Sequence, residues 1–251
     1  MQKAALVIPC YNEALRIHPE VYIETLKAYD RLDLIFVDDG SGDGTGDALE
    51  HIRASMPERV TVVVQPQNRG KAEAVRTGVL LAAARGYPIA GYWDADHATP
   101  LLLAPRLIAA MEDAGAQMAL GSRVRLLGKR VKRSFVRHYM GRVFATVVSL
   151  ILEMDVYDTQ CGAKVFLLSD IILSAFTKPF EARWIFDVEL LARIACASAA
   201  EGWDTKIIEY PLDEWTEVGG SKLRPVHYFL AICDIAMLAF SYGSSIRRLR
   251  R

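Results

Sequence analysis

Short apolar runs alternate with amphipathic segments along the first half of the chain. The runs, in which β-branched or aromatic residues are frequent, are "AALVI", "LDLIFVDD", "VTVVV", "IAGYWDAD" and "QMALGS". Between them, apolar residues recur at helical spacing in "PEVYIETLKAYD", "GTGDALEHIRASM", "KAEAVRTGVLLAAAR" and "PLLLAPRLIAAMEDAG". Strands that alternate with helices predict an α/β protein whose mostly parallel central sheet is flanked by helices on both faces.

The second half of the chain is less regular. A basic loop and a helix are predicted over about residues 124–152, and another helix is predicted in "RWIFDVELLARIACASAAEG". The strand "TKIIEYPLDEW", the loop "TEVGGSK" and a final apolar helix follow. No repeat, linker or low-complexity tract interrupts the sequence. We therefore predict a single domain over residues 1–251 with a C-terminal elaboration.

The composition fits a folded protein with an uneven distribution of charge. The 251 residues are 52% hydrophobic and 24% charged, which argues against disorder. The net charge is zero, but no Asp or Glu occurs between Asp113 and Glu153. The cations of that interval are Arg123, Arg125, Lys129, Arg130, Lys132, Arg133, Arg137 and Arg142. Such a basic block suits phosphate groups or an anionic membrane surface, and a solvated basic face is the simpler alternative.

The spacing of the cysteines and the length of the apolar stretches indicate the cellular compartment in which the protein is expected. The four cysteines are far apart and form no CxxC pair, so neither a zinc site nor a disulfide framework is predicted, and a reducing cytoplasm is expected. The first residues do not resemble a signal peptide. The stretches "VFATVVSLIL" and "VHYFLAICDIAMLAFSY" fall short of the roughly 20 apolar residues of a spanning helix, so no transmembrane helix is predicted.

Polar residues cluster where the predicted strands end. The clusters are "PCYNE", "VDDGSGDGTG", "QPQNRGK" and "DADHAT". Ligands of parallel α/β sheets bind beyond the carboxyl ends of the strands, so these clusters indicate the site. Gly40, Gly42, Gly44 and Gly46 alternate strictly, which excludes the GxGxxG loop of dinucleotide-binding proteins. The chain also lacks the GxxxxGK[ST] pattern of a P-loop.

Aspartates at two of these strand ends indicate a ligand site. Asp39 can accept the N–H of a nucleobase, whereas Asp43 is expected to cap or hydrogen-bond the turn into the next helix. Asp94 and Asp96 are one residue apart, and extended backbone would point both side chains the same way. Mg²⁺ and Mn²⁺ take carboxylate oxygens together with substrate phosphates, so we predict a divalent metal here. A turn with both acids solvated is the alternative, and His97 is predicted to make an ordinary polar contact.

Two series of motifs carry a resemblance to a known family. "VIPCYNEA", "VDDGSGDGT", "NRGKAEAVRTG" and "WDADHAT" resemble family-2 glycosyltransferases, which have the Rossmann-like GT-A fold. "GSR", "YDTQCGAKVF", "RWIFDVELL" and "EWTEVGGSKLRP" are similar to dolichyl- or polyprenyl-phosphate sugar transferases, especially the dolichyl-phosphate glucosyltransferase branch. The resemblance implies a nucleotide-sugar-binding half over about 1–122. It also implies an acceptor-binding half over about 123–251 with apolar, membrane-associated helices.

The resemblance assigns roles to residues at matching positions. Nucleotide-sugar binding would involve Pro9, Tyr11, Glu13, Asp39, Lys71, Asp94 and Lys222, and the metal would lie on Asp94 and Asp96. The catalytic group would comprise Asp96, Arg123, Gln160 and Asp187. The acceptor phosphate would meet Arg123 together with Arg133 and Arg137, which lie one turn apart on the predicted helix. Ala98 cannot ligate, so donor oxygens and water would complete the metal shell.

The implied reaction is an inverting, metal-dependent transfer of one sugar from a nucleotide sugar to a polyprenyl phosphate. Glucose from UDP-glucose is favoured over mannose from GDP-mannose. The nearest alternative is transfer to a hydroxyl with Asp187 as general base. Alternatives of another class are a nucleotide-sugar-binding protein and a nucleotidyltransferase. The protein is expected on the cytoplasmic face of a membrane, peripherally bound to anionic lipid and without a nucleic-acid partner, while protein partners stay open.

Overall fold

The structure, a computed structural model, describes residues 2–132, 141, 144–150, 156–182, 184–198, 206–218 and 225–249. The strands are β1 (Ala4–Cys10), β2 (Leu32–Asp38), β3 (Val60–Val64), β4 (Ile89–Trp93), β5 (Met118–Ser122), β6 (Arg130–Lys132), β7 (Ala163–Leu167), β8 (Ile207–Pro211) and β9 (Glu214–Thr216). The helices are α1 (Pro19–Ala28), α2 (Thr45–Ser55), α3 (Lys71–Ala84), α4 (Ala104–Asp113), α5 (144–150), α6 (Asp170–Phe176), α7 (Phe186–Ala197) and α8 (Pro225–Leu249). These elements confirm the predicted α/β class.

Seven strands form the central sheet in the order β3-β2-β1-β4-β7-β5-β8. The pairs β3–β2, β2–β1, β1–β4 and β5–β8 are parallel. β7 is antiparallel to both of its neighbours, β4 and β5. β6 and β9 form a separate parallel pair. The mostly parallel sheet of the prediction is therefore confirmed, with one reversed strand near its middle.

Helices cover both faces of the sheet and divide the core in two. One core, under α3, α6, α7 and α8, contains Val7 and Ile35. The other, under α1, α2 and α4, contains Leu6 and Phe36. Successive residues of a strand point to opposite faces, so a strand with two buried faces needs apolar residues at every position. This requirement explains the apolar run of β1 and the run 34–37 within β2.

The five runs and four helical segments predicted in the first half are all present as β1–β5 and α1–α4. The structure differs from the prediction at two points: the start of α4 and the strand predicted in the second half of the chain. A 3-10 turn, Leu101–Leu103, precedes α4, which begins at Ala104 with Pro105 in its first turn, where proline is tolerated. The predicted strand "TKIIEYPLDEW" is two strands, because the chain leaves the large sheet after Pro211 and β9 pairs with β6.

The last helix is long but mixed in character. α8 extends over Pro225–Leu249 and exposes Leu230, Ile232 and Phe240, the last of them 90% accessible to solvent. Leu238 on the same helix is buried against the core. Across the described part of the chain, no helix combines the length and the apolar character that crossing a bilayer requires.

Candidate active site

The loops that follow β1 and β2 are joined by hydrogen bonds. Asn12 has a left-handed backbone (φ 50°), and its N–H donates to Ser41 Oγ at 2.9 Å. The side-chain oxygen of Asn12 accepts the N–H of Gly42 at 2.9 Å. The N–H of Glu13 donates to Thr45 Oγ1 at 2.8 Å. The two loops therefore form one connected rim at the carboxyl edge of the sheet.

Asp39 and Asp43, both on this rim, accept hydrogen bonds from backbone N–H groups. The Asp39 carboxylate accepts the N–H of Arg69 at 2.7 Å and the N–H of Gly70 at 2.8 Å. Burial raises the pKa of Asp39, against the effect of these two hydrogen bonds. Asp43 accepts the N–H of Thr45 at 2.9 Å and serves the turn, as expected. Each carboxylate oxygen has two lone pairs, so binding of a base by Asp39 is compatible with these bonds and stays a prediction.

Asp94 and Asp96 line one cavity of about 250 Å³ beyond the end of β4. Arg123 and Trp215 form other parts of its wall. Asp96 Oδ1 accepts the N–H of Ala98 at 3.0 Å. The cavity therefore brings two carboxylates and a guanidinium together, as a site for a diphosphate and a second phosphate would require.

The segment that carries the two aspartates is a turn, and the prediction of extended backbone here is wrong. His97 within it is left-handed (φ 55°). The ring centroid of His97 lies 4.9 Å from that of Tyr22 and 5.6 Å from that of His18, so it makes aromatic contacts instead of the predicted polar contact. Burial lowers the pKa of His97.

The ligand atoms at Asp94 and Asp96 suit a hard divalent cation. Carboxylate oxygens are ligands that Mg²⁺ and Mn²⁺ accept, usually with substrate phosphates and water. Within the described residues, no cluster of three or more His, Cys, Asp or Glu side chains could hold an ion. The residues present thus fit a metal that shares its coordination with a bound diphosphate.

Gly162 makes room for the Asp94 carboxylate. β4 and β7 are antiparallel with Trp93 opposite Ala163, which brings Gly162 beside Asp94. The N–H of Asp94 donates to the Gly162 carbonyl oxygen at 2.9 Å. A Cβ atom on Gly162 would overlap the Asp94 carboxylate. The residue directly before the reversed strand β7 therefore supplies a position without a side chain, against which the Asp94 carboxylate packs.

Lys71, the first residue of α3, pairs with Asp94. Its Nζ lies 2.5 Å from Asp94 Oδ1, 5.5 Å from the centroid of the Tyr92 ring and 5.9 Å from that of Phe186. Burial would lower the pKa of Lys71, but Asp94, Asp187 and Asp96 together outweigh burial and raise it, so Lys71 is a cation at neutral pH. Burial raises the pKa of Asp94, against Lys71 and with the help of Asp96.

A buried charged network lies directly behind this pair. Lys164 in β7 has no exposed surface and donates to Asp187 Oδ1 at 2.8 Å and to the Cys161 carbonyl oxygen at 2.6 Å. The Tyr92 hydroxyl donates to the same Asp187 oxygen. Burial, followed by the effect of Asp187, raises the pKa of Tyr92 well above its usual value. Asp187 is therefore the counter-ion of a buried lysine, and its role as a base stays a prediction.

Arg123 is held in place from two sides. Its Nε and Nη2 atoms each donate to the Asp158 carboxylate at 2.7 Å, and its guanidinium carbon lies 5.4 Å from the centroid of the Trp215 ring. The Glu209 carboxylate accepts the N–H groups of Tyr157 and Asp158, both at 2.7 Å, which fixes the loop carrying Asp158. Burial opposes the charge on Arg123, but Asp158 outweighs burial and raises its pKa.

The structure brings most of the predicted site residues to one edge of the sheet. Asp94, Asp96 and Arg123 line the cavity, and Lys71 contacts Asp94. Pro9, Tyr11, Glu13 and Asp39 lie at the end of β1 or on the loops after β1 and β2. Gln160 precedes Gly162 by two residues, and its buried Nε2 atom has no hydrogen-bond partner in the described part of the chain. Lys222, Arg133 and Arg137 lie outside the described residues.

The sequence reasoning missed several residues on which the site depends. These are Tyr92, Asp158, Gly162, Lys164 and Trp215. Asp158, Gly162 and Lys164 all belong to "YDTQCGAKVF", where a lysine stands at the start of the apolar run "VFLL". A charged residue within such a short apolar run was the available signal, because a buried lysine requires a partner of opposite charge.

A comparison with known families decides the assignment of the chain. Residues 5–171 match the family model described as "Glycosyl transferase family 2". The chain belongs to this family. It is a glycosyltransferase, as the sequence motifs predict. A mouse dolichyl-phosphate beta-glucosyltransferase is 31% identical over 270 residues, which cover 100% of this chain and 79% of the mouse protein. The dolichyl-phosphate beta-glucosyltransferase of Drosophila melanogaster is 32% identical over 259 residues, which cover 95% and 74% of the two chains.

Solved structures of glycosyltransferases share this fold. Glucosyl-3-phosphoglycerate synthase from Mycobacterium tuberculosis, solved with Mn²⁺ and UDP-glucose, superposes with a TM-score of 0.66 at 19% identity and covers 96% of this chain and 79% of its own. A mannosyltransferase from Pyrobaculum calidifontis, solved with GDP-mannose and Mn²⁺, has a TM-score of 0.59 at 17% identity, covering 99% and 74%. The predicted GT-A fold of this family 2 member is confirmed.

Proposed function

We propose that this glycosyltransferase moves glucose from UDP-glucose to dolichyl phosphate or a related polyprenyl phosphate, with inversion at the anomeric carbon. The observation that carries the proposal is the similarity of nearly the whole chain to curated dolichyl-phosphate beta-glucosyltransferases. The cavity at Asp94, Asp96 and Arg123 supports it, because it combines carboxylates for a cation with a fixed positive charge for a phosphate.

On the donor side, Asp94 and Asp96 would hold Mg²⁺ or Mn²⁺ beside the diphosphate. The ion would withdraw negative charge from the leaving nucleoside diphosphate. Lys71 adds a second positive charge next to Asp94. The rim formed by the loops after β1 and β2 would receive the nucleoside, with Asp39 accepting the N–H of the base. These residues bind and orient the donor but do not form bonds to the sugar.

On the acceptor side, a phosphate oxygen of the lipid would attack the anomeric carbon. The new bond forms between that oxygen and the carbon, and the bond from the carbon to the β-phosphate oxygen breaks with its electron pair leaving on UDP. The lipid phosphate is already anionic, so no base is needed to remove a proton. Arg123, held by Asp158 at the cavity wall, would orient this phosphate.

The proposal is tested by incubating the purified protein with UDP-glucose, other UDP-sugars or GDP-mannose, each with dolichyl phosphate and with Mn²⁺, Mg²⁺ or chelator. We expect labelled lipid and an equal amount of UDP from UDP-glucose with metal, and a β-linked product from the α-linked donor. Release of pyrophosphate would indicate nucleotidyl transfer, and binding without any product would indicate a binding protein. Full activity in chelator would contradict the metal.

Substitution of the aspartates locates the reaction in the cavity. Asp94→Asn and Asp96→Asn should each lower turnover by about 100-fold or more, since each removes a charged ligand of the leaving group's cation. Asp113→Asn at the exposed end of α4 is the matched control and should leave turnover unchanged. Equal effects of all three substitutions would place the reaction elsewhere.

The variant Asp187→Asn distinguishes transfer to a phosphate acceptor from transfer to a hydroxyl acceptor. Asp187 is buried and bonded to Lys164 and Tyr92, which favours a positioning role over that of a base. We therefore expect a modest loss of turnover together with a lower melting temperature. Near-total loss of turnover, with an unchanged melting temperature and unchanged UDP-glucose binding, would instead favour a general base and a hydroxyl acceptor.

A further inference from the structure

Lys71 occupies one of the two carboxylates that the proposed metal needs. Its Nζ lies 2.5 Å from Asp94 Oδ1, the distance of a direct ion pair. A divalent ion bound to the same oxygen would bring two positive centres into contact, and like charges repel strongly in a partly buried site. The ammonium and the metal therefore cannot both sit on this oxygen.

The neighbours of Lys71 explain why it pairs with Asp94. Asp187 is another carboxylate near Lys71, but its Oδ1 already accepts hydrogen bonds from Lys164 and Tyr92. The backbone N–H of Asp94 donates to the Gly162 carbonyl oxygen at 2.9 Å, which fixes the backbone from which the Asp94 carboxylate reaches the cavity. Lys71 itself is 39% exposed, so its flexible stem is free to turn toward the cavity mouth.

We propose that Lys71 is the internal counter-ion of the metal site, competing with the metal for Asp94 and moving to the donor diphosphate when the metal enters. Metal and nucleoside diphosphate then bind cooperatively. Entry of the metal alone breaks the Lys71–Asp94 pair without replacing it. A diphosphate gives the released ammonium a new anionic partner, so each ligand strengthens the binding of the other, and the coupling is reciprocal. The inference rests on the proposed function, since it requires a divalent ion and a nucleoside diphosphate.

Lys71→Met tests the competition because it keeps most of the length of the unbranched side chain and removes its charge. Mn²⁺ binding is measured by electron paramagnetic resonance of the free ion, and UDP binding by titration calorimetry, each with and without the other ligand. We expect Lys71→Met to bind Mn²⁺ alone about fivefold more tightly than the wild type does. The factor by which UDP strengthens Mn²⁺ binding should fall by a similar amount.

Arg16→Met is the matched control for a general charge effect. Arg16 also lines the cavity and is paired with a carboxylate, that of Glu13, with its Nη2 2.6 Å from Glu13 Oε1. The substitution removes the same charge from the same cavity but frees a different carboxylate. Equal tightening of Mn²⁺ binding in both variants would overturn the inference, because repulsion at a distance would then suffice.

The remaining outcomes separate this inference from the proposed function. Mn²⁺ binding that is unchanged or weaker in Lys71→Met, with normal binding in the wild type, overturns the competition and leaves the glycosyltransferase reaction untouched. Mn²⁺ that fails to bind every variant, even with saturating UDP, overturns both the metal and the competition. A third outcome is that Lys71→Met binds Mn²⁺ more tightly but UDP strengthens Mn²⁺ binding by the same factor as in the wild type. The lysine would then repel the metal without moving to the diphosphate, which also contradicts the proposal.

Discussion

At the scale of single residues, the absent side chain of Gly162 has the sharpest consequence. A Cβ there would overlap the Asp94 carboxylate, so Gly162→Ala must push Asp94 out of place. Displacement of a reacting group by about 1 Å can cost ~100-fold in rate. We expect a loss of turnover of that order and weaker Mn²⁺ binding in the presence of UDP, measured by steady-state assay and titration.

The control for this substitution is Gly42→Ala. Gly42 has open space where a Cβ would lie, and its N–H remains free to donate to Asn12 after the change. The melting temperature of the Gly42→Ala variant should stay close to that of the wild type. Full activity of Gly162→Ala would show that Asp94 tolerates displacement and would argue against a metal ligand at this position.

The buried pair of Lys164 and Asp187 predicts a stability effect. Lys164→Met leaves the Asp187 charge buried without its ammonium partner, which typically costs about 3–5 kcal/mol. The double variant Lys164→Met/Asp187→Asn removes both charges and keeps an acceptor for the Tyr92 hydroxyl, so it should regain a large part of the loss. Urea denaturation measures both free energies of unfolding.

A more exposed pair supplies the comparison for the buried one. Lys129→Met breaks the ion pair of Lys129 with Asp213, whose side chains are both 29% exposed, and should cost no more than about 1 kcal/mol. If the double variant at Lys164 and Asp187 is no more stable than Lys164→Met alone, burial of an unpaired charge is not the cause of the loss.

At the scale of elements, Asp33 ties four strands together at the edge opposite the site. It accepts from Arg59 Nε at 2.7 Å and from the Tyr87 hydroxyl at 2.6 Å, and Lys3 Nζ lies 2.8 Å away. Lys3 directly precedes β1, Arg59 directly precedes β3, and Tyr87 lies shortly before β4. Burial would raise the pKa of Asp33, but Lys3, Tyr87 and Arg59 outweigh burial and lower it.

This lowered pKa predicts how stability depends on pH. An aspartate whose pKa is lower in the folded than in the unfolded state, where it is about 3.9, stabilises the fold above that pH. The stabilisation is lost as the pH falls through the folded pKa of Asp33. Asp33→Asn should therefore cost about 1–3 kcal/mol at pH 7, and its difference from the wild type should shrink below about pH 4. Denaturation curves over this range, with exposed Asp30→Asn as control, measure the difference; a constant difference would contradict it.

The strands also show which parts of the fold can be predicted from the sequence alone. Strands β1, β2, β4 and β5 were predictable because both of their faces are buried, which leaves long apolar runs, and edge strand β3 was predictable from its β-branched residues. β7 escaped prediction because Lys164 interrupts a five-residue run, and its reversed direction depends on pairing that no local pattern records. The acidic motifs of the site were readable since their residues are adjacent in sequence. The partners Gly162 and Asp158 were not, because they join the site through long-range strand pairing and loop contacts.

At the scale of the whole molecule, exposed apolar side chains on α8 bear on the proposed membrane association. Ile232 is 64% and Phe240 is 90% exposed, although α8 packs on the core through Leu238. A peripheral protein buries such side chains at the lipid surface and adds attraction between cations and anionic lipid. Phe240→Ser should therefore weaken binding to anionic vesicles in a flotation assay without lowering activity on a short, water-soluble polyprenyl phosphate.

The matched control is Leu15→Ser, since Leu15 is 96% exposed and lies on the loop after β1 instead of on α8. It should leave vesicle binding unchanged. Equal loss of binding in both variants, or binding to neutral vesicles as strong as to anionic ones, would argue against a membrane surface formed by α8 and the basic residues.

The position of β7 also sets the order in which the active site is assembled. Asp94, Asp96 and Lys71 leave the ribosome before Gly162 and Lys164, because synthesis proceeds from the N-terminus. Until β7 pairs between β4 and β5, the growing sheet has an unpaired edge at β4. Over the same period, Asp94 lacks its contact with Gly162. The nascent chain can therefore begin to bury its core early, yet the cavity at Asp94 cannot be completed until Gly162 and β7 have been made.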